Sequence, residues 1–160
     1  MTQDLKLRRK WTFRAHGKQM VFIKKTLESD IHVLMKAFIW ALFLPDYPDL
    51  SVEIQIGDRF KPDLVQLGDD GIPVFWGEAG RVSLRKTKAL VHRFRYTHLV
   101  FAKWNMNLVP FRQILKKETG SDRRLAPIDL ISFPAESGER FIHRDGTIQI
   151  NFRDVNRLRC

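Results

Sequence analysis

Two acidic residues, Asp63 and Glu78, have the spacing of carboxylates that face each other at one end of a β-sheet. Asp63 follows Lys61-Pro62, and Glu78 ends the strand-like run at residues 72–77. The interval between them fits one strand, a tight turn and a second strand. Two adjacent carboxylates repel each other, so such a pair is stable only when a proton or a cation lies between them. The pair therefore predicts a site for a hard divalent cation.

The chemistry that suits such a site is metal-assisted hydrolysis of a phosphodiester. Mg²⁺ and Mn²⁺ prefer carboxylate, water and phosphate oxygens, and they activate bound water. The five histidines show neither HxH nor HExxH spacing, which argues against a zinc site. Spacing alone leaves a second interpretation open, in which Asp63 is an ordinary turn residue and Glu78 is an acid at a helix N-terminus.

The positive charge of the chain is concentrated just after this pair. The net charge of the 160 residues is +10, and residues 79–117 contain no Asp or Glu. The basic residues of this stretch are Arg81, Arg85, Lys86, Lys88, Arg93, Arg95, Lys103, Arg112, Lys116 and Lys117. A one-sided basic field favours a polyanionic partner, above all nucleic acid. The alternative is a basic, well-solvated surface.

The composition predicts a single globular domain over residues 1–160. Hydrophobic residues make up 44% of the chain and charged residues 29%, which is typical of soluble proteins. Cys160 is the only cysteine, so no internal disulfide forms, and a reducing, cytoplasmic setting is favoured. The most apolar stretch, residues 33–44, is shorter than the ~20 residues of a membrane span. We therefore expect nucleic acid, and not a membrane, as the partner; the oligomeric state stays open.

The elements around the acid pair alternate between strands and helices. The predicted strands are residues 11–15, 20–24, 51–56, 63–67, 72–76, 98–102 and 127–133, and the predicted helices are residues 28–44, 83–95 and 108–117. Thr26 or Ser29 could cap the first helix, and Ser83 the second. A hairpin is predicted at residues 140–152, around the favoured turn Asp145-Gly146. The order indicates a mixed α/β domain with a strand–helix–strand crossover.

In their order and spacing, these motifs resemble the PD-(D/E)XK nuclease superfamily, and its YaeQ-like branch in particular. Glu28 precedes an apolar helix, and the two acids lie in Pro62-Asp63-Leu64-Val65-Gln66 and Trp76-Gly77-Glu78-Ala79-Gly80. The resemblance spans about residues 10–152. It implies an α/β fold with a restriction-endonuclease-like core (helix, three strands, helix, strand), with N-terminal strands and a C-terminal β-hairpin.

The resemblance also implies roles for individual residues. Asp63 and Glu78 match the metal-binding acids, Glu28 matches a helix acid that can join them, and the cofactor would be Mg²⁺ or Mn²⁺. The superfamily usually places a lysine two positions after the second acid, where this chain has Gly80. The resemblance then implies a lysine from the next helix. Lys88 is the first choice and Lys86 the second.

The function implied is metal-dependent hydrolysis of phosphodiester bonds in DNA. The residues that would hold the nucleic acid are Lys61, Arg81, Arg85 and Arg93. Two alternatives stay open. One is a catalytically inactive nucleic-acid-binding module of the same fold, which Gly80 favours. The other is a protein-interaction module whose basic face meets an acidic partner.

Overall fold

A six-stranded mixed sheet carries the two acids at one of its ends. The computed structural model describes residues 9–120 and 123–160. The strands of this sheet are β3 (Ser51–Val52), β4 (Leu64–Leu67), β5 (Pro73–Ala79), β6 (His98–Trp104), β7 (Ile128–Phe133) and β8 (Asn156–Arg159), in that spatial order. Strands β5, β6 and β7 are parallel to one another, and the other neighbours are antiparallel. A separate antiparallel hairpin is formed by β1 (Lys10–Ala15) and β2 (Lys18–Ile23).

Helices cover both faces of the sheet. They are α1 (Asp30–Phe43), α2 (Leu84–Arg93), α3 (Val109–Thr119) and the short α4 (Ser137–Phe141), with a 3-10 turn at Phe152–Asp154. Helix α1 lies between the sheet and the β1–β2 hairpin, while α2 and α3 share a second core on the opposite face. In the part of the chain that the structure describes, no helix is both long enough and apolar enough to cross a membrane.

The alternation of side chains along the parallel strands decides toward which face of the sheet Glu78 points. Phe75 and Val100 belong to the core around α1, whereas Trp76 and Phe101 belong to the core with α2 and α3. Successive side chains of a strand point to opposite faces. Glu78, two residues after Trp76, therefore points toward α2, so a lysine on that helix can reach it.

The mixed α/β architecture and most of its predicted elements are confirmed, with ends that shift by a few residues. Ser29 caps α1, because its hydroxyl accepts a hydrogen bond from the His32 N–H, and Ser83 caps α2. The strand predicted at residues 51–56 is shorter. Glu53 adopts a φ of 58°, which ends β3 after Val52.

The predicted C-terminal β-hairpin is reduced to a turn at Asp145-Gly146 with short antiparallel pairing and no regular strands within residues 140–152. Residues that were expected to form its first strand belong instead to α4, and only one antiparallel bridge, Ile142 with Ile148, flanks the turn at Asp145-Gly146. The reason is tertiary: Thr147 pairs with Arg14 of β1, so this segment docks on the N-terminal hairpin. The sequence also failed to predict β8, which closes the sheet.

Strand β8 is attached through a buried carboxylate. Asp129 of β7 accepts a hydrogen bond of 2.6 Å from His98 Nε2 and further bonds of 3.0–3.2 Å from the guanidinium groups of Arg157 and Arg159. Tyr47 lies 2.9 Å from the other ring nitrogen of His98. Burial opposes the charge of Asp129, but the bonds from His98, Arg159 and Arg157 outweigh burial and hold its pKa well below the usual range.

Asp129→Asn should therefore destabilise the protein strongly. The substitution keeps the shape but removes the charge that faces two arginines, and breaking such a buried pair costs about 3 kcal/mol. Urea unfolding measures the change in the free energy of unfolding. Glu136→Gln, at an exposed side chain, is the control and should change it little. Equal stability of the two variants would show that Asp129 does not anchor β8.

Candidate functional site

The structure brings Asp63 and Glu78 together through the register of β4 and β5. These strands pair Leu64 with Gly77 and Val65 with Trp76. Continuing the register by one residue places Asp63 opposite Glu78, where cross-strand Cβ atoms lie about 5 Å apart. Asp63 Oδ2 also accepts a 2.8 Å hydrogen bond from the Ala79 N–H. The two carboxylates therefore meet at the carboxyl end of β5, the end of a parallel strand at which α/β proteins commonly bind ligands.

Glu78 is a buried carboxylate with only part of its charge compensated. The residue is only 4% exposed, and its Oε1 accepts a 2.8 Å hydrogen bond from Trp76 Nε1. Lys86 Nζ lies 2.6 Å from the same oxygen. Burial, followed by the charge of Asp63, raises the pKa of Glu78 to about 7 despite these two donors. An additional cation at the pair would relieve that repulsion.

The two candidate lysines of α2 lie on different sides of the helix. Residues two positions apart are rotated by about 200° around a helix, so only one of them can face the acids. Lys86 faces them, and its Nζ also lies 3.3 Å from the Lys61 carbonyl oxygen. Lys88 Nζ lies instead 3.4 Å from Glu118 Oε1 on α3. The lysine placed second from the sequence is thus the one beside Glu78.

Gly80 explains why the lysine comes from α2. Its φ is +81°, in the left-handed region that L side chains rarely adopt. A Cβ at this position would lie 3.6 Å from His32 Cδ2 and 3.6 Å from Met35 Cε. A lysine at residue 80 would be strained by its backbone, and its stem would start against α1.

A chain of ion pairs extends from Asp63 into the protein. His32 Nε2 lies 3.5 Å from Asp63 Oδ2, and its Nδ1 lies 2.5 Å from Glu28 Oε2. The ammonium of Lys36 then bridges Glu28 Oε2 at 2.5 Å and Glu53 Oε1 at 2.7 Å. Glu28, predicted as a third metal ligand, therefore reaches Asp63 through His32.

His32, Lys36 and Glu53 escaped the sequence analysis, although part of their signal was present. Glu28, His32 and Lys36 are spaced four residues apart, which aligns them along one side of a helical segment. Such a row of alternating charge inside an apolar helix indicates a buried network. Glu53 gave no comparable signal, because only its left-handed backbone turns its carboxylate toward α1.

Glu28, Glu53 and His32 in this row of ion pairs are each shifted toward the ionised form. Burial, the largest single influence, raises the pKa of Glu28, but the contacts with Lys36, the Lys25 N–H and His32 together outweigh it and lower the net pKa. Burial likewise opposes the charge of Glu53, yet the bonds from Lys36 and Lys25 lower its pKa to about 2. The hydrogen bond to Asp63 is the main reason that the pKa of His32 is raised. These contacts favour the protonated form of His32 beside Asp63.

The residues predicted to hold phosphate are distributed over two places. Arg81, just before α2, and Arg85, in its first turn, are exposed. Lys61 is partly buried, and its Nζ lies 3.3 Å from Glu53 Oε2. Arg93 lies at the other end of α2, where it pairs with Asp58.

The residues at the pair fit a hard cation with few protein ligands. Within residues 9–120 and 123–160, no group of three or more His, Cys, Asp or Glu is arranged to hold a metal ion. Asp63 and Glu78 supply two carboxylates. Mg²⁺ is commonly held by one or two carboxylates, with water and substrate phosphate completing its octahedron. The raised pKa of Glu78 is the observation that favours a cation here.

Comparison with known proteins adds information on the fold. No family model and no curated protein matches this sequence. The YaeQ protein from Pseudomonas syringae superposes with a TM-score of 0.62 at 11% identity, over 98% of this chain and 94% of that one. The YaeQ protein from Xanthomonas axonopodis pv. citri gives a TM-score of 0.57 at 14% identity, over 89% of this chain and 82% of that one. The chain has the fold of the YaeQ proteins. The expected YaeQ-like architecture is thereby confirmed, and at such identities the likeness concerns the fold alone.

Lys36→Met should destabilise the protein at neutral pH. Lys36 is 1% exposed, and its loss leaves the carboxylates of Glu28 and Glu53 facing each other without their shared cation. We expect a loss of about 3 kcal/mol in the free energy of unfolding at pH 7. Lys10→Met, at an exposed position of β1, is the matched control and should be nearly neutral.

The pH dependence of the same variant provides a second measurement. The folded-state pKa of Glu53 lies below its ordinary value of 4.5, at about 2. Its charge therefore stabilises the wild type fully above pH 4.5, and that stabilisation is lost as the pH falls toward 2. The difference between wild type and Lys36→Met should narrow across this window in urea titrations. A difference that does not change with pH would exclude the ion pairs as its cause.

Proposed function

We propose that this protein is a metal-dependent nuclease of the PD-(D/E)XK type that hydrolyses phosphodiester bonds in DNA. The observation that carries the proposal is the meeting of Asp63, Glu78 and Lys86 at the carboxyl end of β5. Two carboxylates and a lysine are the groups that the resemblance implies. The succession α1, β3, β4, β5, α2, β6 also follows the helix, three strands, helix, strand order of a restriction-endonuclease-like core.

The residues of the site divide the work by their chemistry. Asp63 and Glu78 would hold Mg²⁺ or Mn²⁺, which when bound lowers the pKa of a water ligand and neutralises charge at phosphorus. Lys86, already within hydrogen-bond distance of Glu78, is placed to orient the attacking water or to stabilise negative charge in the transition state. His32, held by Glu28, orients the carboxylate of Asp63.

The surroundings of the site suit a polyanionic substrate. The exposed guanidinium groups of Arg81 and Arg85 lie around the start of α2, the helix that supplies Lys86. The segment from residue 79 to residue 117 has no acid to oppose them. Phosphate contacts of this kind hold a nucleic-acid strand without reading its sequence, so they position the scissile bond for the acid pair.

The decisive experiment is cleavage of plasmid DNA in the presence of Mn²⁺ or Mg²⁺. Asp63→Asn and Glu78→Gln should abolish cleavage, because each removes a ligand for the ion. Lys86→Met should lower kcat by about 10²–10³-fold, the cost of losing one stabilising donor. Lys88→Met changes the same residue type on the same helix at a position paired with Glu118, and should retain activity.

A binding measurement separates loss of metal from loss of fold. Mn²⁺ should raise the Tm of the wild type and of Glu136→Gln, but not that of Glu78→Gln. Cleavage that survives in both acid variants would reject the nuclease proposal. Cleavage lost in Lys88→Met and kept in Lys86→Met would reject the assignment of the lysine alone.

The ion pair of Lys86 with Glu78 also favours a second candidate function, nucleic-acid binding without catalysis. An ammonium already neutralises part of the charge that a metal would neutralise. DNA binding without cleavage, unchanged in Asp63→Asn and Glu78→Gln, would establish this function. Absence of DNA binding at low salt would instead favour a protein-interaction module that binds an acidic partner.

Both nucleic-acid functions predict a role for Arg85. If its guanidinium contacts a phosphate, Arg85→Ala should reduce the slope of log K against log salt by about 1, because one fewer counterion is released. Fluorescence anisotropy of a labelled duplex at several salt concentrations measures this slope. Arg144→Ala, in the turn at residues 143–146, is the control. Equal slopes in the two variants would remove Arg85 from the interface.

A further inference from the structure

A mainly apolar cleft lies beside the acid pair and is not used by the chemistry proposed above. Its volume is about 440 Å³, within the range of small-molecule and cofactor sites. Its walls include Met35 of α1, Leu84 of α2, Met106, and Phe111 and Ile114 of α3. Leu84, Met106 and Ile114 are 43–54% exposed, so the mouth of the cleft is a hydrophobic surface open to solvent.

The wall of the cleft begins two residues after Glu78 along the chain. Gly80, two residues after Glu78, forms part of its wall, and Gly80 packs against α1 beside His32 and Met35. Lys103 of β6 closes the cleft from the sheet side and donates a 2.6 Å hydrogen bond to the Gly80 carbonyl oxygen. Gly80 and Lys103 thus connect the wall of the cleft to the end of β5 that carries Glu78.

The charges around the cleft are positive. Lys103 is 8% exposed, and its ammonium lies 4.8 Å from the centroid of the Phe111 ring. Burial lowers the pKa of Lys103, and the negative charge of nearby Glu78 opposes that shift. Arg81 is exposed at the rim. A purely aliphatic ligand would gain no electrostatic attraction from Lys103 and Arg81. A planar group attached to a phosphate would be attracted by both.

We propose that the cleft receives one unpaired nucleobase of a nucleic-acid strand whose phosphate lies at the acid pair. The ring of Phe111 and the methionines offer polarisable apolar surface to a base, and Arg81 offers a cation to the adjoining phosphate. Every base has an aromatic face, so this contact selects unpaired strand without selecting sequence. The inference rests on the proposed function, and it assigns single-stranded or locally opened nucleic acid as the substrate class.

The test compares a short thymidine oligonucleotide with an all-abasic strand of the same length, by fluorescence anisotropy without divalent metal. The wild type should bind the base-containing strand roughly 10-fold more tightly. Ile114→Glu, which places a carboxylate at the mouth of the cleft, should abolish this preference. Val109→Glu adds the same charge at an exposed position of α3 outside the cleft, and should keep the preference. Phe111→Leu retains apolar packing but removes the ring, and should also lose it.

The quantity compared is the ratio of the affinities for the base-containing and the abasic strand. An added negative charge weakens binding of both strands, so its general effect cancels in this ratio. A wild-type protein that binds both strands equally would overturn the base-binding cleft, even if plasmid cleavage occurs. A preference lost equally in Ile114→Glu and Val109→Glu would also overturn it. A dimer that dissociates in Ile114→Glu would identify the cleft as an interface between copies of the chain, and would reject the proposal. A cleft-dependent preference without any cleavage would support the base site and reject catalysis.

Discussion

The repulsion between two carboxylates at the end of β5 is the constraint around which the site is organised. Asp63 immediately precedes β4 and Glu78 lies on the neighbouring antiparallel strand β5, so the register continued by one residue sets them opposite each other. Each has received a positive partner from a different layer of the fold. Lys86 comes from α2 on one face, and His32 comes from α1 on the other. The sheet thus separates the two compensating charges, and each acid keeps one defined orientation.

The supply of charge from α1 has consequences for the core. This helix lies between the sheet and the β1–β2 hairpin, and its eleven consecutive residues from Val33 to Phe43 are buried. One of them is Lys36, which would be costly there without partners. Glu28 and Glu53 supply those partners, and the left-handed backbone of Glu53 ends β3. The irregular edge of the sheet and the buried lysine are therefore parts of one arrangement.

The residues that shape the acid pair and the neighbouring cleft lie at the carboxyl ends of the parallel strands. Glu78 and Gly80 follow one another at the end of β5, and Lys103 lies near the end of β6. The loops that leave these strands lead directly into α2 and α3, which carry exposed basic and apolar side chains. At the opposite edge of the sheet, Asp129 fixes β8 through paired guanidinium groups. Ionic contacts therefore hold both the site and the edge strand. At the acid pair, Glu78 keeps a raised pKa despite its contact with Lys86.

The sequence by itself determined the elements whose signals are local. Alternating apolar residues and turn residues defined most strands, capping serines defined the starts of α1 and α2, and the interval from Asp63 to Glu78 indicated that two acids would meet. These features depend on neighbouring residues, so pattern and propensity suffice to find them. The same patterns led to the expected mixed α/β architecture, which superposition on YaeQ structures confirms.

Tertiary structure alone decided the features that depend on contacts between distant segments. The docking of Thr147 on Arg14 accompanies the reduction of the expected C-terminal hairpin to a short turn, and pairing with β7 created β8. The rotation of α2 against the sheet selected Lys86 over Lys88, because lysines two positions apart point in nearly opposite directions. Spacing along the chain places both lysines on the right helix. Only the packed orientation of that helix decides which ammonium reaches the acids.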